Sequence, residues 1–255
     1  ILGPCSVGYE DLYFSIADKS TKTMQGKDWY YKASFDKANR TSITGNRGPG
    51  LDRSLKLFED IKKEFPNIKL TTDLHEPWQA EKLSPYVDLI QIPAFLCRQT
   101  DLIVACARNF NKVNIKKGQW IGPNNLAKSV DKIRTTNPAA QAWITDRGSN
   151  FGYDKLIVDF TIVEELQRHY NKVILDCTHS TQRSRKVYGF QGDRALAERY
   201  FLAADVFGYD GVFAETHPNP REAVSDADCQ IYLSKITKLV NLADSIKIIS
   251  KKRGK

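Results

Sequence analysis

Lys32, Lys37, Lys116 and Arg147 each fall at, or a few residues past, the end of a short β-branched or aromatic run. If the fold gathers those ends, four cations meet in one concave site of low dielectric, where their repulsion is costly unless anions are bound. The matching ligand is a small polyanion carrying phosphate and carboxylate groups. Cys5, His179, Glu215 and Asp226 make a second set: a thiolate, an imidazole and two carboxylates. That mixture of donors suits Fe2+, Zn2+, Mn2+ or Co2+ better than Mg2+ or Ca2+. Other runs also end in polar residues, among them Asp73 and His75, Gln91 and Arg98, Asp146, Asp176 and His217. Ser34, Asp73, Gln91, Asn114 and Gln119 are read as substrate-binding groups of this kind.

The elements that must carry these residues alternate along the chain. Eight strand candidates cover 1–6, 29–34, 68–75, 88–95, 112–117, 139–148, 172–180 and 211–218. Between them lie amphipathic stretches with apolar residues at i, i+3 and i+4, notably 51–65, 125–136, 157–170 and 194–208, and a last helix spans roughly 229–250. Eight βα units in 255 residues, with no Pro/Gly/Ser-rich linker, predict a single (β/α)8 barrel over the whole chain. An open doubly wound sheet is the alternative, but "GPCSVGYE" lacks the glycine-rich turn that usually follows its first strand. In a barrel the C-terminal strand ends converge on one mouth. Strands one, seven and eight become neighbours there, which brings Cys5, His179 and Glu215 together with Asp226 just beyond.

Composition narrows the partners. Lys and Arg total 38 against 30 Asp and Glu, a net charge of +8 that favours anions. The basic residues Lys251, Lys252, Arg253 and Lys255 are read as a solvated tail over about 250–255. The informative cations sit at strand ends rather than on one outer face interleaved with aromatics, so a nucleic-acid partner is not expected. Neither is a membrane span, because no apolar run approaches 20 residues. Five cysteines without a CxxC pair predict free thiols and a reducing, cytoplasmic setting, with Cys97, Cys106 and Cys177 as small buried residues. The chain does not begin with Met, so residues ahead of Ile1 are expected to be missing.

Long motifs carry a resemblance. "GPCS", "YKASFDKANRTS", "RGPGL", "TTDLHEPWQA", "IQIPAFLCRQTDL", "VNIKKGQW", "DRGSNFGYD", "LDCTHSTQ" and "ETHPNPREAVSDAD" together are similar, in order and spacing, to the 3-deoxy-D-manno-octulosonate 8-phosphate synthases. The resemblance covers essentially the whole chain. It implies a barrel enzyme, commonly a homotetramer, that condenses phosphoenolpyruvate with D-arabinose 5-phosphate, releases phosphate and supplies a sugar of lipopolysaccharide. Carried over residue by residue, it implies that Lys32, Lys37 and Gln91 face the phosphoenolpyruvate carboxylate. Lys116, Arg147 and the backbone at Ala94 hold its phosphate, and Asn39, Arg40 and Thr41 receive the sugar phosphate. Cys5, where a metal-independent class has Asn, places the chain with the metal-dependent class, its ligands being Cys5, His179, Glu215 and Asp226; Asp226 is also a catalytic candidate.

The chain departs from that pattern after its seventh strand, where "RSRKVYGFQGDRALAE" replaces a glycine-rich run before an Arg-Glu pair, and at Thr44, where a His is common. A sialic acid synthase and a non-catalytic, sugar-phosphate-binding barrel are alternative readings, and the nearest alternative is 3-deoxy-D-arabino-heptulosonate 7-phosphate synthase, which takes erythrose 4-phosphate. Its motif carries Pro-Arg after the second lysine, where this chain has Ala38, Asn39 and Arg40.

Overall fold

The structure is a computed structural model that describes residues 1–8, 10–40 and 42–253. Eight parallel strands form the wall: β1 (Leu2–Gly3), β2 (Tyr31–Lys32), β3 (Leu70–Asp73), β4 (Leu89–Ile92), β5 (Lys112–Lys116), β6 (Gln141–Asp146), β7 (Lys172–Asp176) and β8 (Gly211–His217). They pair in sequence order, and β8 closes on β1 with Leu2 opposite Ala214 and Gly3 opposite Glu215. The predicted barrel is therefore the observed one, each strand lying inside its expected segment. Closure is tight at Gly3, where an added Cβ would lie 2.0 Å from the Lys32 carbonyl oxygen. Only glycine permits that approach.

The connecting helices are α1 (Glu10–Thr23), α2 (Leu51–Glu64), α3 (Gln79–Leu83), α4 (Thr100–Asn109), α5 (Pro123–Thr136), α6 (Val163–Gln167), α7 (Arg194–Val206) and α8 (Leu233–Arg253). Helix α2 shows why they dock: Ser54, Leu57, Phe58 and Ile61 share one face, and all four are buried against the sheet. Asp193 starts α7 by accepting a hydrogen bond from the Leu196 amide.

Two expectations need correction. The stretch 157–170 is no single helix: Leu156–Ile157 pairs antiparallel with Ser149–Asn150, a 3-10 turn follows at Phe160–Ile162, and only α6 is α-helical. Asp159 accepts hydrogen bonds from the Thr161 amide and hydroxyl, which favours the turn over a continued helix. At the C-terminus, the helix expected over roughly 229–250 is α8, which begins at Leu233 because Ile231–Tyr232 first pairs with β8, and which runs to Arg253. Lys and Arg are good helix formers, and no Gly or Pro interrupts before Gly254. Lys255 lies outside the described residues.

Alternation along the strands splits the apolar residues into two cores. Tyr31, Val113, Ile115, Ala142 and Ile144 point outward into the large core beneath the helices. Tyr30, Leu89, Trp143, Ile174 and Phe213 point inward and form a separate plug, with Trp143 edge-on to Tyr30. The plug floors the barrel, and the polar strand ends lie above it. All five cysteines are free and buried, burial being the expectation for Cys97, Cys106 and Cys177. Among the described residues, no helix is long and apolar enough to cross a membrane.

Candidate active site

The inward positions immediately above the plug are polar. In neighbouring strands Asp73 lies beside Gln91, Gln91 beside Asn114, and Lys116 beside Thr145. Because parallel neighbours in register share a face, these residues form a ring around the mouth. Thr145 donates to the Asn114 side-chain oxygen at 2.9 Å, and Ser34 Oγ accepts from Lys37 at 3.4 Å.

The expected cations are gathered here, but two have protein counter-ions. Lys32 donates to Glu215 at 2.7 Å and to the Cys5 carbonyl at 3.2 Å. Lys116 is ion-paired to Asp176 and lies over the Phe213 ring, 3.4 Å from its centroid. Bare mutual repulsion is thus replaced by two buried pairs; among the described residues, Lys37 and Arg147 have no carboxylate within ion-pair distance. Burial pulls the Lys116 ammonium down to about 8 against the attraction of Asp176, with Arg147 and Lys32 adding to the fall. Burial also acts to lower Lys37, but the charges of Glu215, Cys5, Asp73 and Asp226 outweigh it and raise the group above its ordinary value.

Asp176 is the hub of the mouth. It accepts from the Thr178 amide and hydroxyl, from the His179 amide at 2.9 Å and from His179 Nδ1 at 2.9 Å. Burial would push its carboxyl up, yet His179 and Lys116 hold it well below the usual carboxylate range. With Nδ1 engaged, His179 turns Nε2 toward Glu215 Oε2 at 3.6 Å and Asp226 Oδ2 at 3.9 Å.

Those three side chains offer ligand atoms that all lie within 4.8 Å of one another. Glu215 Oε2 is buried with no hydrogen-bond partner, and the carboxylate-bound Nδ1 fixes the imidazole in the orientation a metal ligand requires. The donor set therefore fits a divalent cation. Asp226 holds its place at φ 57°, a left-handed conformation that Asp adopts more readily than most residues. Cys5 lies two residues past β1 and is buried, but its sulfur is outside that mutually close set.

Arg147 joins the cationic and acidic halves. It donates to Gln182 Oε1, and Gln182 Nε2 donates to Asp226 at 2.8 Å. Asp73 pairs with His75 at 3.2 Å; burial acts to raise its carboxyl, but the His75 bond and the charges of His75, Lys32 and Lys37 hold it far below its ordinary value. Among the described residues, thirteen buried side-chain polar atoms lack a partner. Seven of these belong to Asp73, His75, Gln91, Asn114, Gln119, Arg147 and Glu215. Buried polar groups are normally satisfied, so this concentration marks where a polar ligand is to be met.

Other predicted residues lie farther out. Ala94 is buried in a 3-10 turn after β4. Arg40 reaches the Asn46 carbonyl at 2.8 Å and the Val224 carbonyl at 3.1 Å, tying the loop after β2 to the loop that carries Asp226. Asn39 is exposed beside it, and Thr41 lies outside the described residues. Asp146 does not face the mouth. The alternation turns it outward, where it accepts from the Tyr209 hydroxyl at 3.1 Å. In the unusual segment after β7, Arg183 pairs with Asp193 at 2.8 Å and lies over the Tyr188 and Phe190 rings.

Asp176 as hub, Gln182 as bridge and Phe213 as floor were not among the predicted site residues. The first two stand in "LDCTHSTQ", so their signal was present without a role.

The sequence model of the DAHP synthetase I family matches residues 1–251. The chain belongs to the DAHP synthetase I family. Within that family's reach, it is 42% identical to a 2-dehydro-3-deoxyphosphooctonate aldolase of Campylobacter jejuni, over 98% of this chain and 97% of the relative. A protein of the same name from Helicobacter hepaticus is 42% identical over 99% of this chain and 98% of its own length. Another, from Fusobacterium nucleatum, is 39% identical over 98% and 91%. In this DAHP synthetase I chain the mouth residues are thus set in a framework that those relatives match from end to end.

Proposed function

We propose that the chain condenses phosphoenolpyruvate with D-arabinose 5-phosphate and water, giving 3-deoxy-D-manno-octulosonate 8-phosphate and inorganic phosphate. The observation that carries this reading is one continuous array. Arg147 is joined through Gln182, and Lys116 through Asp176, to the His179, Glu215 and Asp226 donors, in a chain matched end to end by relatives named 2-dehydro-3-deoxyphosphooctonate aldolase.

Lys116, Arg147 and the backbone at Ala94 take the phosphoenolpyruvate phosphate, and Lys32, Lys37 and Gln91 take its carboxylate. Gripping both anions fixes C3 toward the sugar aldehyde, and positioning of this kind lowers the barrier to carbon–carbon bond formation. Water adds at C2, and the adduct loses phosphate by C–O cleavage. Lys116 and Arg147 stabilise the charge developing on the departing phosphate. Asn39, Arg40 and Thr41 hold the sugar phosphate; for Arg40 this means exchanging its carbonyl partners for the ligand. Ser34, Asp73, Asn114 and Gln119 offer polar groups to the substrates.

A divalent cation (Fe2+, Zn2+, Mn2+ or Co2+) is held by His179, Glu215 and Asp226, with Cys5 as the fourth ligand read from the sequence. Such a cation, when bound, supplies Lewis-acid polarisation of a substrate oxygen. A homotetramer in the cytoplasm, serving lipopolysaccharide synthesis, completes the reading.

The test supplies phosphoenolpyruvate with arabinose 5-phosphate or erythrose 4-phosphate and follows phosphate release. A site that pairs polar groups with the five-carbon acceptor leaves some unpaired with the shorter one, so arabinose 5-phosphate is preferred by at least about 100-fold in kcat/KM. Equal or better turnover of erythrose 4-phosphate overturns the acceptor assignment.

A further inference from the structure

Lys116 and Lys117 are consecutive, and the strand sends them to opposite sides of the barrel wall. Lys116 belongs to the mouth. Lys117 is only 1% exposed, yet it faces the outer core, where an unpaired ammonium is strongly disfavoured. Its surroundings explain how it is tolerated. Nζ donates to the Ser149 hydroxyl at 2.8 Å, to the Gly148 carbonyl at 3.1 Å and to the Gly118 carbonyl at 3.4 Å, and it lies 3.6 Å from Asp146 Oδ1.

Three of those partners flank one residue. Asp146 precedes Arg147; Gly148 and Ser149 follow it. Asp146 Oδ1 also accepts from the Gly148 amide at 3.1 Å, closing a turn around Arg147. Gly148 makes that turn at φ 82°, where a Cβ would come within 3.0 Å of the Ile157 carbonyl oxygen. The far side of the carboxylate is fixed by Tyr209. The backbone on both sides of Arg147 is therefore tied to the residue that directly follows Lys116.

We propose that Lys117 is a positioning residue: from behind the barrel wall it clamps the Asp146–Ser149 turn and so sets the spacing of Lys116 and Arg147, the two cations that grip the phosphoenolpyruvate phosphate. It touches no substrate. The inference rests on the proposed role of that cation pair and adds what holds the pair in register. Phosphate is recognised by donors at fixed separation, so a turn free to drift weakens phosphoenolpyruvate while leaving the acceptor loop after β2 unaltered.

The experiment uses the full-length chain and titrates phosphoenolpyruvate, then inorganic phosphate, by calorimetry. Lys117→Met is combined with Asp146→Asn, so that no lone buried carboxylate remains and the fold is preserved; melting curves check this. Displacing a gripping group by a fraction of an ångström to an ångström weakens phosphoenolpyruvate by about 10- to 100-fold, while the KM for arabinose 5-phosphate stays within about 3-fold. Ser149→Ala keeps the ion pair and removes one hydrogen bond, for a loss of about 3- to 10-fold. Wild-type phosphoenolpyruvate affinity in the double variant, or a parallel rise of both KM values, overturns the clamp. Arg147→Ala separates the two levels. If it weakens phosphoenolpyruvate and the double variant does not, only the clamp falls; if it leaves affinity unchanged, the cation-pair assignment falls and the clamp with it.

Discussion

The barrel interior has two layers built by opposite rules. The lower one, Tyr30, Leu89, Trp143, Ile174 and Phe213, is a closed apolar plug. The upper one packs Lys32 against Glu215 and Lys116 against Asp176 and leaves seven buried polar atoms without partners. Phe213 is their boundary: it belongs to the plug and carries both lysine ammoniums over its ring. The lower layer contributes stability through area removed from water. The upper layer spends some of that stability to keep charges desolvated and ready, and the dry floor makes those charges act strongly on whatever binds.

Perturbing each layer tests the division. The largest effect is expected from chelation, which should abolish phosphate release, with Mn2+ or Co2+ restoring it; full turnover by metal-free protein would remove the cation from the upper layer. Arg147→Ala should cost about 2 to 5 kcal/mol in kcat/KM for phosphoenolpyruvate, read by steady-state kinetics.

The pH profile comes next. Lys116 sits near 8, so its positive charge is lost as pH rises through that value, and kcat/KM for phosphoenolpyruvate should fall by about tenfold per pH unit above it. Lys116→Arg should move that limb beyond the measurable range, because guanidinium stays charged. A smaller split follows at the rim. Arg40→Ala should raise the arabinose 5-phosphate KM by about 10-fold and leave that of phosphoenolpyruvate nearly unchanged, as loss of a charge-assisted bond to one substrate requires. Smallest in activity is Ile174→Val in the plug, which should lower stability by about 1 kcal/mol in denaturant titration with kcat/KM unaltered. A catalytic defect there would erase the distinction between the layers.

The fold was largely legible because strand and helix periodicities are local. All eight strands and helices α2, α5 and α7 fall where the pattern puts them, whereas 157–170 fails because Asp159 and the pairing with Ser149–Asn150 override its apolar spacing. In the site, residue types were legible and partners were not. Lys116 meets Asp176 from 60 positions away, so nothing near either residue announces the pair. Strand-end position alone misled at Asp146, which the alternation turns toward the helices, and Arg40 binds loop carbonyls that no motif specifies. Cys5 shows the same limit: strand adjacency sets Gly3, two residues before it, opposite Glu215 without bringing the Cys5 sulfur into the mutually close donor set.

The Lys116–Lys117 pair also restricts how the gene can change. Each ammonium has a fitted environment on one side of the wall, so a single-codon insertion or deletion within β5 would exchange the two positions across the sheet. Lys116 would be stranded among the helices while the outward Val113 and Ile115 turned into the mouth. Point substitutions in β5 can be graded in effect, but length changes there are all or nothing. Variation in length is left to the loops above the mouth.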